Sequence, residues 1–170
     1  MRDRVRIAPV TGLQRATPDR FMKTSTPARQ LASFLVRFSP PIAAQARVAR
    51  AKLRKLLPGA IEMVYDNYNA LVIGFSPTER PSDAVLSLVI FPRRVSVCFV
   101  QGKHLPDPHH VLVGDGNQVR FVRLDSQAAI LDTPPLRALV SEAIAFGETP
   151  FGGKRQLVIR AIARKQRPRR

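Results

Sequence analysis

Apolar residues recur at three- and four-residue steps along residues 27–38, which is the spacing of one face of a helix. Thr26 can cap this helix by accepting a hydrogen bond from its first turn. Pro27 suits the first helical position, because that position needs no N–H donor. We predict a short helix that begins at Pro27. Its buried stripe consists of Leu31, Phe34, Leu35 and Phe38.

A second stretch with helical spacing covers residues 41–57, and Pro58-Gly59 ends it. This stretch contains five Lys/Arg residues and no acidic residue. A third helix is predicted over residues 135–146, after the capping sequence Asp132-Thr133-Pro134. The apolar face of the second helix consists of Ile42, Ala46, Ala49, Leu53 and Leu56.

Short apolar runs between turn residues predict five strands, over residues 61–65, 70–75, 84–91, 94–100 and 118–124. Residues 157–163 are also β-like, with a short helix as the alternative. The element order therefore predicts an α+β fold. We expect an antiparallel sheet of about five to six strands with the helices packed on one face, because consecutive strands are joined by short links.

The positive charge of the chain is concentrated at its two ends. The formal net charge is +16, yet residues 61–150 contain seven Lys/Arg against ten acids, whereas residues 151–170 contain eight Lys/Arg and no acid. Basic ends are typical of proteins that contact nucleic acid or an acidic protein. The predicted phosphate or acidic-partner contacts are Lys52, Arg54, Lys55, Lys165, Arg167, Arg169 and Arg170.

The domain limits follow from composition. Residues 1–26 are predicted to be a disordered, basic N-terminal extension, residues 27–164 the folded domain, and residues 165–170 a solvated basic tail. Met22 offers an alternative start, which would make residues 1–21 an extension. No apolar run is long enough to cross a bilayer, so no membrane contact is predicted. The single cysteine, Cys98, fits a reducing, cytoplasmic setting.

Candidate catalytic and metal-binding groups are few. The histidines His104, His109 and His110 lack the spacing of known metal motifs, and no G-x-S-x-G sequence is present. Cys98 lies in an apolar strand that offers nothing to lower its pKa. The sequence predicts exposed loop histidines and an inert buried thiol, and it identifies no catalytic residue, no metal ligand and no cofactor.

The segment Tyr65-Asp66-Asn67-Tyr68-Asn69 has the most unusual composition in the chain, with two aromatic residues, two amides and an acid in five positions. Its aromatic and amide side chains can stack on and hydrogen-bond a small ligand, or they can simply build a turn. A basic residue on the fifth strand can present a guanidinium group to a phosphate or a carboxylate. The pocket candidates are Tyr65, Asn67, Tyr68 and Arg120.

The stretch LRKLLPGAIEMVYDNYNALVIGF, followed by VSVCFVQGKHLPDP and then GDGNQVRFVRL, resembles the YdhG-like family of unknown function. The resemblance runs from about residue 22 to residue 144. It implies a compact α+β fold with an antiparallel sheet, in a family likened to frataxin, and some relatives are considered iron-handling chaperones. Frataxin-type iron binding uses acidic residues along a helix, whereas the helix at 41–57 carries none.

Three functions stay open at this point. The first is a non-enzymatic binding domain that contacts nucleic acid or an acidic partner through its basic ends. The second is a frataxin-like metal chaperone. The third is a small-molecule enzyme with a pocket near Tyr65 and Arg120.

Overall fold

A computed structural model describes residues 25–170 of the chain. Most of the predicted N-terminal extension, together with the alternative start at Met22, lies outside the described residues. Three α-helices and six β-strands make up the described part, with short 3-10 turns between them. In chain order the elements are α1 (Pro27–Leu35), α2 (Pro40–Leu56), β1 (Ile61–Asp66), β2 (Leu71–Ser76), β3 (Leu86–Phe91), β4 (Arg94–Phe99), β5 (Arg120–Arg123), α3 (Pro134–Phe146) and β6 (Gln156–Ile162).

Helix α1 begins where its capping residue predicts, whereas α2 and α3 each begin one residue earlier than predicted and lack a side-chain capping bond. The Thr26 hydroxyl accepts a hydrogen bond from the backbone N–H of Arg29 at 3.3 Å, and a proline occupies the first turn of every described α-helix. Gly59 follows α2 with a φ of +79°, a conformation that favours glycine. A side chain at this position would also approach the carbonyl oxygen of Gly153 to 2.7 Å, so glycine brings the α2–β1 turn close to the segment before β6.

The six strands form one sheet in the order β5-β4-β3-β2-β1-β6. Strands β1 to β5 pair antiparallel with their neighbours, as the short links predict. The sixth strand, at 157–163, is a strand and not a helix, and it pairs parallel with β1. The sheet is therefore mixed but mostly antiparallel, and among the described strands only β6 departs from the expected antiparallel pairing. The cause is the α3 crossover, which returns the chain to the far edge of the sheet.

One hydrophobic core lies between the sheet and the helices. The α+β prediction is confirmed, and all three described helices contribute to this core. On β1 the core-facing positions are Glu62, Val64 and Asp66, since alternate residues of a strand share a face. Two of these three positions hold carboxylates, which is unusual for a core face. The predicted α1 stripe of Leu31, Phe34, Leu35 and Phe38 is buried throughout.

Within residues 25–170, no helix has the length and apolar content that crossing a membrane requires.

Candidate functional site

The first buried carboxylate, Glu62, is paired with two arginines of the neighbouring helix α2. Glu62 is 1% exposed and forms ion pairs with Arg50 and, at 3.0 Å, with Arg54. A buried carboxylate is costly unless it is paired, so these contacts let β1 keep an acid on its core face. Arg54 is thus occupied inside the fold, and its predicted role as a phosphate contact is not supported by this placement.

The second buried carboxylate, Asp66, is paired with arginines from distant parts of the chain. Arg37, just after α1, lies 3.0 Å from Asp66 Oδ2, and Arg169, near the C-terminus, lies 2.7 Å from Asp66 Oδ1. The Arg169 guanidinium also donates to the carbonyl oxygen of Asn67 and lies 4.8 Å from the centre of the Phe38 ring. Asp66 therefore ties the C-terminal segment to β1 and to the α1–α2 junction.

The C-terminal segment is consequently not a freely solvated tail. Arg169 is only 5% exposed, and burial lowers the pKa of its guanidinium while Asp66 opposes that effect. The backbone N–H groups of Ala163 and Arg167 donate to the carbonyls of Asp66 and Tyr68. The prediction of a solvated tail over 165–170 is wrong in this respect, and Arg169 is not available to a phosphate.

Four other arginines meet in a cleft at the same end of the sheet. The β1–β2 turn, the β3–β4 turn and the exit of β6 all lie at this end, because β6 runs parallel to β1. A cleft of about 830 Å³ lies between the β3–β4 turn and the C-terminal segment, and no Asp or Glu side chain of the described residues lines it. We call this the arginine cleft. Its residues are Asn69, Phe91, Pro92, Arg93, Arg94, Arg167, Pro168 and Arg170.

The arginines of the cleft are partly fixed in place but not neutralised. The Arg94 guanidinium lies 4.3 Å from the centre of the Phe91 ring, in a cation–π contact. Arg170 donates to the carbonyl oxygen of Val36 at 2.8 Å, and the backbone of Arg167 is hydrogen-bonded to Tyr68. Among the described residues, none of the four cleft arginines forms an ion pair. Their positive charge therefore faces the cleft without an internal partner.

The remaining predicted phosphate contacts lie elsewhere. Lys52 donates to the carbonyl oxygens of Gln127 and Ala128 and pairs with Asp132, so its charge is used inside the fold. Lys55 and Lys165 are exposed but do not line the arginine cleft. Of the seven predicted contacts, only Arg167 and Arg170 reach the cleft.

The four pocket candidates do not meet. Tyr65 is on β1 and Arg120 is on β5, and strands β2, β3 and β4 lie between them. At roughly 4.8 Å between neighbouring strands, this separation is about 19 Å. Arg120 donates to the carbonyl oxygens of Gly116 and Val119, away from the arginine cleft. The predicted pocket joining Tyr65 and Arg120 is therefore wrong, whereas Asn67 and Tyr68 lie in the β1–β2 turn beside the cleft.

A second cavity, of about 440 Å³, lies at the opposite end of the sheet and has a different character. Its lining mixes Arg80 with the acids Asp83 and Glu148. Hydrogen bonding from Thr78 lowers the pKa of Asp83, and the Asp83 carboxylate is thereby committed to its own loop. This cavity therefore mixes charges of both signs, unlike the arginine cleft.

The histidines and the cysteine form no chemical site in the described structure. His104 stacks on Phe146 with ring centres 5.7 Å apart, and His109 and His110 are exposed on their loop. Burial raises the pKa of the Cys98 thiol to about 11. Within residues 25–170, no group of three or more His, Cys, Asp or Glu side chains is arranged to hold a metal ion.

Two arginines of the cleft escaped the sequence analysis. Arg93 and Arg94 lie in the middle of the chain, where acids outnumber bases. The excess of positive charge at the two ends therefore does not indicate them. The available signal was the Pro92-Arg93-Arg94 turn, which places two basic residues at the exposed tip of a hairpin.

No family model matches the chain, and neither a curated protein nor a solved structure shows a significant match to it.

Proposed function

We propose that the protein is a non-enzymatic nucleic-acid-binding domain that holds backbone phosphates in the arginine cleft. The single observation that carries this proposal is the meeting of Arg93 and Arg94 with Arg167 and Arg170 around one cleft that no Asp or Glu side chain of the described residues lines. These residues come from two segments separated by more than 70 positions of the chain. The fold, and not local sequence, concentrates the charge there.

Guanidinium groups suit this role because their planar fork donates two parallel hydrogen bonds to a phosphate. Elsewhere in the domain the fold supplies acids for buried arginines, as Glu62 does for Arg50 and Asp66 does for Arg169. Among residues 25–170 the cleft arginines receive no such partner, so a ligand that brings negative charge is the natural complement. The Arg94–Phe91 stack also reduces the conformational freedom that the side chain would lose on binding.

Phosphate contacts predict a strong dependence of affinity on salt. For four contacts on a single strand, the affinity is expected to fall roughly 50-fold between 50 and 200 mM monovalent salt, through counterion release. Fluorescence anisotropy with labelled 20-nucleotide RNA and DNA measures this directly. We expect R93A/R94A to lower the affinity at low salt by about tenfold or more.

The matched control is R47A/K55A, which also removes two positive charges, but from exposed positions on α2 outside the cleft. Equal losses in the two double variants would show a diffuse charge effect and would contradict the proposal. Absence of binding to RNA and DNA, together with tight binding to a polyglutamate peptide, would identify an acidic protein partner instead. Shortening the chain is an unsuitable test, because it also removes Arg169 from buried Asp66.

The other two functions have no specific support in the described residues. The YdhG-like resemblance and an iron-handling role remain predictions. The enzyme hypothesis loses its basis with the separation of Tyr65 from Arg120.

A further inference from the structure

A large aromatic side chain is exposed next to the arginine cleft. Tyr68 lies in the β1–β2 turn and is 48% exposed, which makes it one of the most exposed large side chains with apolar surface in the described structure. Its neighbour Asn69 lines the cleft. The carbonyl oxygen of Tyr68 accepts a hydrogen bond from the backbone N–H of Arg167 at 2.8 Å. Tyr68 is therefore joined directly to one wall of the cleft.

The position of Tyr68 is fixed by the backbone around it. The Asn67 N–H donates to the carbonyl oxygen of Ala70, which closes the turn. The buried Arg169 donates to the carbonyl oxygen of Asn67. Tyr68 thus stands on a turn held from both sides, while its own ring takes no part in the hydrophobic core. The turn therefore presents an aromatic face to solvent, and such a face can stack on a flat ring of a ligand.

We infer that the protein binds single-stranded nucleic acid, with phosphates in the arginine cleft and an unpaired base stacked on Tyr68. This inference rests on the proposed function and adds the kind of nucleic acid to it. A base in a duplex is already stacked on its neighbours and cannot reach an aromatic ring, whereas a base in a single strand can. Arginines for the backbone and an exposed ring for a base are the two elements that single-strand binding combines.

The exposed amides of the turn agree with this assignment. Asn67 and Asn69 flank Tyr68, and both are exposed. An amide both donates and accepts hydrogen bonds, so it can meet the edge of a base that lies on the ring. The expected selectivity between bases is small, because every base has a face that can stack.

The decisive experiment compares Y68A and Y68F with the unchanged protein on three ligands of equal length: an unstructured single-stranded RNA, a single-stranded DNA and a duplex DNA. Base–aromatic stacking predicts that Y68A loses about 5- to 150-fold in affinity for the single strands. Affinity for the duplex is expected to change less than about twofold, and Y68F is expected to retain single-strand binding. Equal effects of Y68A on single strands and duplex, or no effect at all, would overturn the inference.

A second measurement does not depend on affinity. The chain contains no tryptophan, so Y68W introduces a single tryptophan at the proposed stacking position, and excitation at about 295 nm selects it over Tyr65. Its emission is expected to be quenched by single-stranded oligonucleotides and to stay unchanged with inorganic polyphosphate, which fills the cleft but has no base. Quenching by neither ligand at saturating concentration would contradict stacking.

Phosphate binding in the arginine cleft and base stacking on Tyr68 can be tested separately. If R93A/R94A loses binding and Y68A does not, the single-strand inference is wrong while the arginine cleft stands. If R93A/R94A binds every ligand as well as the unchanged protein, the proposed function itself is wrong.

Discussion

The arginines of this domain form two groups that differ in whether they pair with a buried carboxylate. Local sequence does not distinguish the two groups. In one group, Arg50 and Arg54 surround Glu62, and Arg37 and Arg169 surround Asp66. In the other group, four arginines line one cleft to which no Asp or Glu side chain of the described residues contributes. The first group neutralises carboxylates that a core face would otherwise reject, and the second forms no ion pair within the described residues.

Net charge alone therefore does not locate a binding surface in this chain. Arg169 and Arg170 are adjacent in the most basic segment of the chain. Arg169 is buried against Asp66, whereas the exposed Arg170 lines the cleft. The pairing carboxylate, and not the local density of charge, distinguishes the arginine that is buried in the fold from the one that lines the cleft.

The largest expected effect is the loss of the buried pair between Asp66 and the C-terminal segment. We expect R169A to lower the free energy of unfolding by about 3–5 kcal/mol, because it leaves a buried carboxylate short of a partner. Urea denaturation followed by circular dichroism measures the change. The control R170A, at an exposed position, is expected to change it by less than about 1 kcal/mol. Equal stability of R169A and the unchanged protein would refute the internal role of Arg169.

A smaller effect is expected at the other buried carboxylate. The arginine side chains beside Glu62 are 21% and 37% exposed, whereas that of Arg169 is only 3% exposed. After Glu62→Ala, Arg50 and Arg54 can turn to water, so the expected loss is about 1–3 kcal/mol. The same urea measurement ranks the two sites. A loss for Glu62→Ala larger than that for R169A would reverse the proposed order.

The thiol of Cys98 reports whether variants act on the fold or on the cleft. Its pKa of about 11 leaves about 100-fold less thiolate at pH 8 than an ordinary cysteine has, so we expect slow alkylation by iodoacetamide in the native protein. R93A/R94A is expected to keep this slow rate, whereas R169A is expected to raise it through more frequent unfolding. Rapid alkylation of R93A/R94A would mean that the cleft arginines also support the fold.

The smallest effect concerns an exposed carboxylate that serves neither group. The Asp125 carboxylate accepts hydrogen bonds from the backbone N–H groups of Ala129 and Gln127, and these lower its pKa. Its stabilising contribution is therefore present above about pH 4 and is lost as the pH falls through the lowered pKa. The difference in Tm between the unchanged protein and D125A is expected to shrink over that range. A difference that stays constant down to pH 2 would rule out this role of the carboxylate.

Local patterns were enough to predict most elements of the fold. The helical spacing of Leu31, Phe34 and Leu35 and the turn at Pro58-Gly59 depend on neighbouring residues alone, and the structure agrees with them. The parallel pairing of β6 was missed because it depends on where the α3 crossover returns the chain. The periodicity of the sequence does not show that β6 joins the sheet at the β1 edge.

The candidate site was predictable only in part, for the same physical reason. Arg167 and Arg170 were found through the basic composition of the chain end, and Asn67 and Tyr68 through their unusual turn. Their proximity to Arg93 and Arg94 results from sheet order and from the contact between Asp66 and Arg169, which spans more than 100 positions. Arg120 was wrongly grouped with Tyr65, because the sequence does not show how many strands separate two residues.

The most direct test of the arginine cleft is the slope of log affinity against log salt concentration for single-stranded RNA. Each phosphate contact contributes about −0.7 to this slope, so R93A/R94A is expected to make it shallower by about 1.4. The control R47A/K55A is expected to keep the slope of the unchanged protein. A slope that R93A/R94A leaves unchanged, or that both double variants alter equally, would contradict the claim that the charge left free in the cleft binds phosphate.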